Sequence, residues 1–234
     1  MKFTKRLSSE ERKRLAVSVR THRRMAFERP SITYSIFRGL SEVRQFLGLD
    51  LASVVDSKIK SRHHPIHFLD SGAGALRVSA GLKKRFGDKI NITTLSLKHP
   101  NASTFTRKQV FDKIRADLKE SKYYSKKDLV ASLKKHSRLL AEAKKNVKSV
   151  DYLHVGLAEN FKSRKKFDII FDYSGPLSGG FYTGEVFSNY SQLLKKGGIL
   201  ITCLSPIELE YTAGNQLAEF TVRPSAHYCI LVKN

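Results

Sequence analysis

The sequence predicts an α/β protein built around a mostly parallel sheet, and three observations carry that prediction. Beyond residue 63, short apolar strand-like runs alternate with stretches of helical periodicity. One run, His67-Phe68-Leu69, ends in Asp70 and opens on Ser71-Gly72-Ala73-Gly74, after which Leu76, Val78, Ala80 and Leu82 mark a helix. The chain then closes on two strand-like runs separated by a proline turn, the pattern of a hairpin. The glycine-bearing stretch organises the rest. Two alternating glycines let the backbone turn tightly and approach a ligand closely, while the N-terminus of the following helix offers N–H groups that have no partner within the helix.

Taken in order, Ser8-Ser9-Glu10-Glu11 reads as a capping box for a basic helix over Arg12 to Met25. Its two glutamates argue against a mitochondrial transit segment, and no signal-type apolar core follows. A second helix runs from Pro30-Ser31 to Leu47, with Ile32, Ile36, Leu40, Val43 and Leu47 on one face, and is expected to pack on the core. A third spans Leu51 to Ile59. His63-His64-Pro65 ends it, and with no cysteine or carboxylate cluster beside the histidines the stretch, with His67, reads as linker and strand start and not as a metal site.

After the glycine turn the helix extends to Phe86, Gly87-Asp88 turns the chain, and Ile90 to Leu97 forms the second strand. The interval to the third strand is longer than one crossover helix requires. It reads as two, Arg107 to Ser121 and Lys126 to Val147, the latter introduced by Ser125-Lys126-Lys127-Asp128. Tyr123-Tyr124 at their junction are candidates either for stacking on a base or for packing. The third strand is Asp151 to Val155 and the fourth Phe167 to Asp172, followed by Tyr173-Ser174-Gly175-Pro176 and a glycine-rich loop through Gly179-Gly180-Phe181-Tyr182. A helix over Val186 to Leu194, a strand over Ile199 to Leu204, a helical or loop segment from Pro206 to Leu217 and a hairpin turning at Arg223-Pro224-Ser225 complete the chain.

At 234 residues, with 41% hydrophobic residues, the chain is long enough for one α/β core with additions. We divide it into a basic helical N-terminal extension, 1–62, and a main domain, 63–234, with a basic helical elaboration at 106–149. No apolar run is long enough to span a bilayer, so a cytoplasmic protein without membrane contact is expected. Cys203 and Cys229 both fall in strand-like runs, where a reduced thiol is usual. The formal charge of +22 is unevenly spread: ten Lys or Arg against three acids over 1–29, fourteen against five over 106–150, and four against six from Asp168 to the end. A local excess fits a polyanion-binding face, although lysine-rich helices are also found as plain solvated surface.

Leu69-Asp70-Ser71-Gly72-Ala73-Gly74 resembles the first motif of class I S-adenosylmethionine-dependent methyltransferases. Phe167 to Asp172 resembles that family's fourth strand, and Leu193-Leu194-Lys195-Lys196-Gly197-Gly198-Ile199-Leu200-Ile201 its approach to the fifth. The resemblance covers residues 64 to 234. It implies a Rossmann-like, mostly parallel seven-stranded sheet with helices on both faces and an antiparallel C-terminal hairpin. It also implies S-adenosylmethionine as cofactor, held by Asp70, Ser71, Gly72, Ala73 and Gly74, by Ser96 and Leu97 after the second strand, by Leu157 and Ala158 after the third, and by Asp172. Two of these positions depart from the family. Ser96 stands where an acidic residue normally binds the ribose hydroxyls, and Leu157 where an aspartate commonly meets the adenine amino group. A serine offers one neutral hydrogen bond in place of a charge-assisted pair, roughly half as strong per bond.

Methyl transfer from a sulfonium asks mainly for alignment, with a base only where the nucleophile must lose a proton. Asp172-Tyr173-Ser174-Gly175-Pro176 shares an acid, an aromatic residue and a proline with the fourth-strand end of amino-methylating relatives, in altered order, so Asp172 and Tyr173 are the candidate catalytic residues. The alternative role for Asp172 is to cap the strand and line the cofactor pocket. The cysteine pair of RNA cytosine-C5 methyltransferases is missing, because Thr202-Cys203 comes too early and the Asp172 loop has no cysteine. The Lys-Asp-Lys-Glu set of ribose-methylating enzymes is not evident either. The leading expectation is a methyltransferase acting on RNA, ribosomal RNA above all, with phosphates held by the N-terminal arm and the 106–149 helices. Two alternatives stand beside it: an RNA-binding protein on the same fold that has lost turnover, and a methyltransferase for a protein or small molecule.

Overall fold

The computed structural model describes residues 39–62, 64–96, 125–173, 175–177 and 183–234, together with Lys108, Phe111, Asp112 and Arg115. The N-terminal capping box and basic helix, residues 30–38 of the second helix, Leu97, most of the helix over 107–121, Tyr123-Tyr124, Ser174, and the Gly179-Gly180-Phe181-Tyr182 loop lie outside the described residues.

Leu40–Leu47 (α1) ends at Gly48, whose φ of 68° lets the chain leave the helix without a Cβ clash. Leu51–Lys60 (α2) begins at Asp50, whose carboxylate accepts from the Ser53 amide at 3.0 Å. Val43, Leu47, Leu51 and Val55 are buried against Ile66, Phe68 and Ile92 of the sheet, so the expected packing of this region on the core is present. The strands that follow are Ile66–Ser71 (β1), Ile90–Ser96 (β2), Tyr152–Val155 (β3), Phe167–Asp172 (β4), Leu194–Thr202 (β5), Phe220–Pro224 (β6) and Cys229–Lys233 (β7). Between them lie Arg77–Phe86 (α3), Lys126–Asn146 (α4), Thr183–Leu193 (α5) and Pro206–Ala213 (α6).

The strands form one sheet in the order β3-β2-β1-β4-β5-β7-β6. The first five are parallel, and β7 pairs antiparallel with both β5 and β6. This is the expected Rossmann-like sheet with its antiparallel C-terminal pair. Helices α1, α2 and α3 cover one face, over Phe68, Ile92, Ile169 and Ile201, and α5 and α6 cover the other, over Leu69, Leu95, Ile170 and Leu200. All six residues of the central strand β4 are buried, which is why it reads as a continuous apolar run broken only by Asp168 and Asp172.

Several boundaries differ from expectation: the helix expected from Pro30 through Leu47 begins at Leu40, with Gly39 as a non-helical cap at ψ 172°, and α5 begins at Thr183 and not at Val186. β5 begins at Leu194 and not at Ile199: Lys195-Lys196-Gly197-Gly198 is itself strand, bulged against β4 where the register shifts between Phe167 and Ile169, with Gly197 at φ 68°. Because that strand ends at Thr202, Cys203 lies beyond it, half-buried. The hairpin turn also falls later than Arg223-Pro224-Ser225. Pro224 is the last residue of β6, and the Ser225 amide donates to the Tyr228 carbonyl at 2.8 Å. Proline is tolerated there because β6 is an edge strand.

Candidate functional site

In a parallel sheet the ligand crevice lies outside the carboxyl ends of the strands. There the structure places Asp70 and Ser71 at the end of β1, Ser96 at the end of β2, Leu157 and Ala158 after β3, and Asp172 and Tyr173 at and after β4. The Gly156 amide donates to the Ser96 carbonyl at 2.9 Å, which draws the ends of β2 and β3 together. Leu97 lies outside the described residues.

The turn from Gly72 to Leu76 is shaped by positive φ angles at Gly72 (80°) and Gly74 (48°), and by one at Leu76 (59°), a residue type that rarely adopts it. Leu76 is fully buried. Its apolar packing offsets a left-handed backbone worth roughly 1–2 kcal/mol, and as the residue before α3 it contributes no side-chain acceptor to that helix's first amides. The expectation of unpartnered turn amides is not met throughout. The amides of Gly72 and Ala73 both donate to the Leu95 carbonyl, at 3.0 and 3.4 Å, and that of Leu76 to Ala73 at 2.8 Å. The edge of β2 supplies an acceptor that no local pattern announces.

Two further elements close around the turn. The last part of α4 docks on it: Ala143 packs against Ala75, Asn146 Nδ2 donates to the Ala75 carbonyl at 2.8 Å, and Arg77 pairs with Glu142. On the other side the loop after β4 touches it. A Cβ on Gly72 would stand 2.5 Å from Gly175 Cα, and one on Gly175 would stand 2.4 Å from the Ser71 carbonyl oxygen, so glycine is required at both.

Beneath this contact runs a buried polar chain. Strand alternation turns Ser71 and Asp172 toward α5, where Tyr190 lies fully buried. Tyr190 Oη donates to Asp172 Oδ2 at 2.7 Å, the Leu177 amide donates to the same oxygen at 3.2 Å, and Ser71 Oγ, left as the donor, bonds Tyr190 Oη. Burial, then the Asp172 charge, pushes the Tyr190 phenol well above its ordinary range and keeps it a donor. Asp172 is thus an anchor tying β1, α5 and the post-β4 loop, with no exposed surface. Tyr173 points to the opposite face, stacked on Phe171 with ring centres 6.4 Å apart. The structure does not bring these two candidate catalytic side chains together. Tyr190 and Gly175 are the residues that sequence reasoning passed over, and the alternation of Ser71 and Asp172 toward one helix is the signal that would have found the tyrosine.

Asp70 is buried and faces α3, where Ser79 Oγ donates to it at 2.5 Å. Desolvation pushes its pKa up to about 6 against the lowering effect of Ser79, with Asp172 nearby adding to the rise. The carboxylate therefore titrates just below neutrality.

A glycine turn at the carboxyl end of the first strand, inside a sheet ordered 3-2-1-4-5-7-6, decides the architecture. The chain has the Rossmann-like fold of the class I methyltransferases. No family model and no curated protein matches the sequence. Among solved structures it is similar to an rRNA methylase from Streptococcus thermophilus, at 12% identity and a TM-score of 0.45 over 78% of this chain and 94% of that one. It is also similar to a precorrin-6y C5,15-methyltransferase from Geobacter metallireducens, at 14% identity and 0.46 over 79% and 88%. A third, the S-adenosylmethionine-bound amino pentose methyltransferase CalS10 from Micromonospora echinaspora, shares 18% identity and 0.38 over 67% of this chain and 50% of its own length.

Whether a sulfonium nucleoside fits is a question for the residues. At the turn, Gly72 and Gly175 pack on each other with no room for a Cβ, the amides of Gly72 and Ala73 are taken by Leu95, and the helix behind has no side-chain cap. At the ends of β2 and β3 stand a buried Ser96 and an apolar Leu157, neither of which carries a charge.

Proposed function

We propose that the protein is a cytoplasmic S-adenosylmethionine-dependent methyltransferase acting on RNA, with ribosomal RNA as the substrate class. The observation that carries this reading is the glycine turn at the carboxyl end of β1 with a basic helix docked on it: α4 seats Ala143 and Asn146 on the turn and exposes Arg138, Lys144 and Lys145, with Lys148 exposed just past its end. When bound, the cofactor supplies an electrophilic methyl group on sulfur. Asp70 and the turn from Ser71 through Gly74 would hold its amino-acid end, and Ser96, with Leu157 and Ala158, its nucleoside end. The contact between Gly72 and Gly175 fills the notch between β1 and β4, so the nucleoside side lies over β2. Asp172 acts through Tyr190 and the Leu177 amide as a positioning residue for the post-β4 loop, and Tyr173, next along that loop, is the candidate contact for the acceptor base. The N-terminal arm and the 106–149 helices supply phosphate contacts.

A second reading has its own support. Two turn amides committed to Leu95, a wholly buried Asp172, and neutral residues at 96 and 157 suit a methyltransferase-fold RNA-binding protein without turnover. Titration calorimetry with S-adenosylmethionine, paired with incorporation of labelled methyl groups into total RNA and total protein, separates the readings. Heat on titration with label in RNA is the expected result. Silence in both at millimolar cofactor leaves the binding protein, and label in protein alone removes the RNA substrate. Replacing Gly74 by a bulky residue should abolish cofactor binding and spare RNA retention.

A further inference from the structure

Beyond the basic stretches 1–29 and 106–150, the structure gathers a third concentration of positive charge from three short segments far apart in the chain. Strands β1, β4 and β5 are neighbours, and their pairing, Phe68 with Ile169 and Phe167 with Leu194, sets their amino-terminal ends side by side. At about 4.8 Å between strands these ends lie within roughly 10 Å of one another. Leading into β1 are Lys58, Lys60 and Arg62; leading into β4 is Lys162-Ser163-Arg164-Lys165-Lys166; β5 opens with Lys195-Lys196. None of the stretches 57–67, 162–166 and 194–198 contains an aspartate or glutamate.

One carboxylate lies beneath them. Asp168 is fully buried, accepts from Lys195 Nζ at 2.7 Å and from the His67 amide at 2.8 Å, and stands 3.5 Å from Arg62 Nε. Lys58 Nζ is held by the Gly197 carbonyl at 2.6 Å. The buried Asp168 fastens part of the cluster to the sheet and Asp56 pairs with Lys60 at 2.7 Å, and the basic residues of these segments still outnumber the acids beside them. The crowding registers in the neighbours: burial, then Lys195 and Lys165, lowers the His67 pKa, and burial, then Arg62, lowers that of Lys58. Lys162, Arg164, Lys165, Lys166 and Lys196 are exposed.

We propose that the amino edge of the sheet is a docking surface for the phosphate backbone of RNA, opposite the carboxyl-edge site. The inference rests on the RNA half of the proposed function and adds the surface that does the holding. Charge without apolar anchors selects this partner. Among the described residues, the large exposed apolar side chains, such as Phe46, Tyr152, Ile207 and Tyr211, all lie outside these segments. An acidic protein partner or a membrane surface would call for such anchors. The surface does not continue up α5: the groove of about 460 Å³ beside that helix carries Lys162 and Lys166 but also Glu159 and Glu185. Phosphates are thus confined to the edge itself.

The test is a triple charge reversal, Lys162→Glu with Arg164→Glu and Lys165→Glu, in the full chain, against a control reversal of exposed arginines that precede no strand, Arg44→Glu on α1 with Arg223→Glu near the end of β6. Filter binding of a mixed-sequence oligoribonucleotide across a potassium chloride series is the readout, with thermal melting to show that both variants fold. The amino-edge variant should lose about tenfold or more in affinity and flatten the salt slope by about 2, while the control changes little. Calorimetric binding of S-adenosylmethionine should be the same in all three proteins. Unchanged RNA affinity in the amino-edge variant, or equal loss in both variants, overturns the proposal and leaves RNA binding by this protein standing. A wild-type chain that ignores RNA at low salt overturns both, and one that binds phosphatidylserine vesicles instead moves the surface to membranes.

Discussion

The two edges of the sheet differ in chemistry as sharply as any two parts of the molecule. At the carboxyl edge, the described residues after β1, β4 and β5, 71–76, 173, 175–177 and 203–205, contain glycine, serine, proline, tyrosine and apolar residues and no lysine or arginine. Its carboxylates are inside: Asp70 on Ser79, Asp172 on Tyr190. At the amino edge the same three strands carry lysine and arginine outward over one buried Asp168. The difference teaches how one sheet separates tasks. Close backbone approach and a surface low in charge suit a small molecule, and a dense cationic rim suits a polyanion, whose binding weakens with salt.

The comparison breaks most severely at Gly72. Gly72→Val places a branched side chain at φ 80° and 2.5 Å from Gly175 Cα, and is expected to cost about 3–5 kcal/mol or prevent folding, measured by urea denaturation. Gly197→Ala on the amino edge shares the positive φ but meets nothing within 4 Å, so it should cost only about 1 kcal/mol.

Asp70 gives the carboxyl edge a pH signature. Its folded-state pKa of about 6 lies above the unfolded value near 3.8, so the folded state holds the proton more tightly between those values. Stability from this group is present below about pH 4 and is lost as pH rises through 6, on the order of 3 kcal/mol. Asp70→Asn should flatten that segment of the stability curve and be more stable than wild type at neutral pH; a curve with the same slope in both proteins would refute the assignment.

Asp168→Asn probes the opposite edge. It leaves Lys195 and Arg62 without their counter-charge, but both are partly exposed, so a loss of about 2–3 kcal/mol is expected, smaller in high salt. Tyr190→Phe removes the donor that ties Asp172 to Ser71, and should cost about 1–3 kcal/mol. A double-mutant cycle with Ser71→Ala should show coupling, since both substitutions cut the same chain. Least of all, Lys60→Ala removes an exposed i,i+4 pair with Asp56, and its effect on thermal melting should stay within about 0.5 kcal/mol.

Strand and helix types, and the glycine turn, could be read from local pattern because each depends on the near neighbours of a residue in the chain. β4 matches its expected bounds, Phe167–Asp172, and α3 ends at Phe86 as its periodicity requires. The two glycines of Lys195-Lys196-Gly197-Gly198 read as a turn, and it is the pairing of the flanking Leu194 and Ile199 with β4 that carries the strand across them as a bulge. The site divides in the same way. The positions of Asp70, Ser96 and Asp172 at strand ends follow from the order of segments. What those side chains touch does not, since the partners of Asp172 lie on a helix and a loop that only the packed sheet brings to it.

Local residue order, then, was enough to establish an α/β chain with a ligand-type turn, because propensity and periodicity act over a few residues. Long-range packing settled the rest: that Leu95 takes the amides of Gly72 and Ala73, that Asp172 is an internal anchor, and that lysines and arginines from residues 58, 162 and 195 onward share one edge. Charges add up by distance in space, and separation along the chain hides that sum until the strands align.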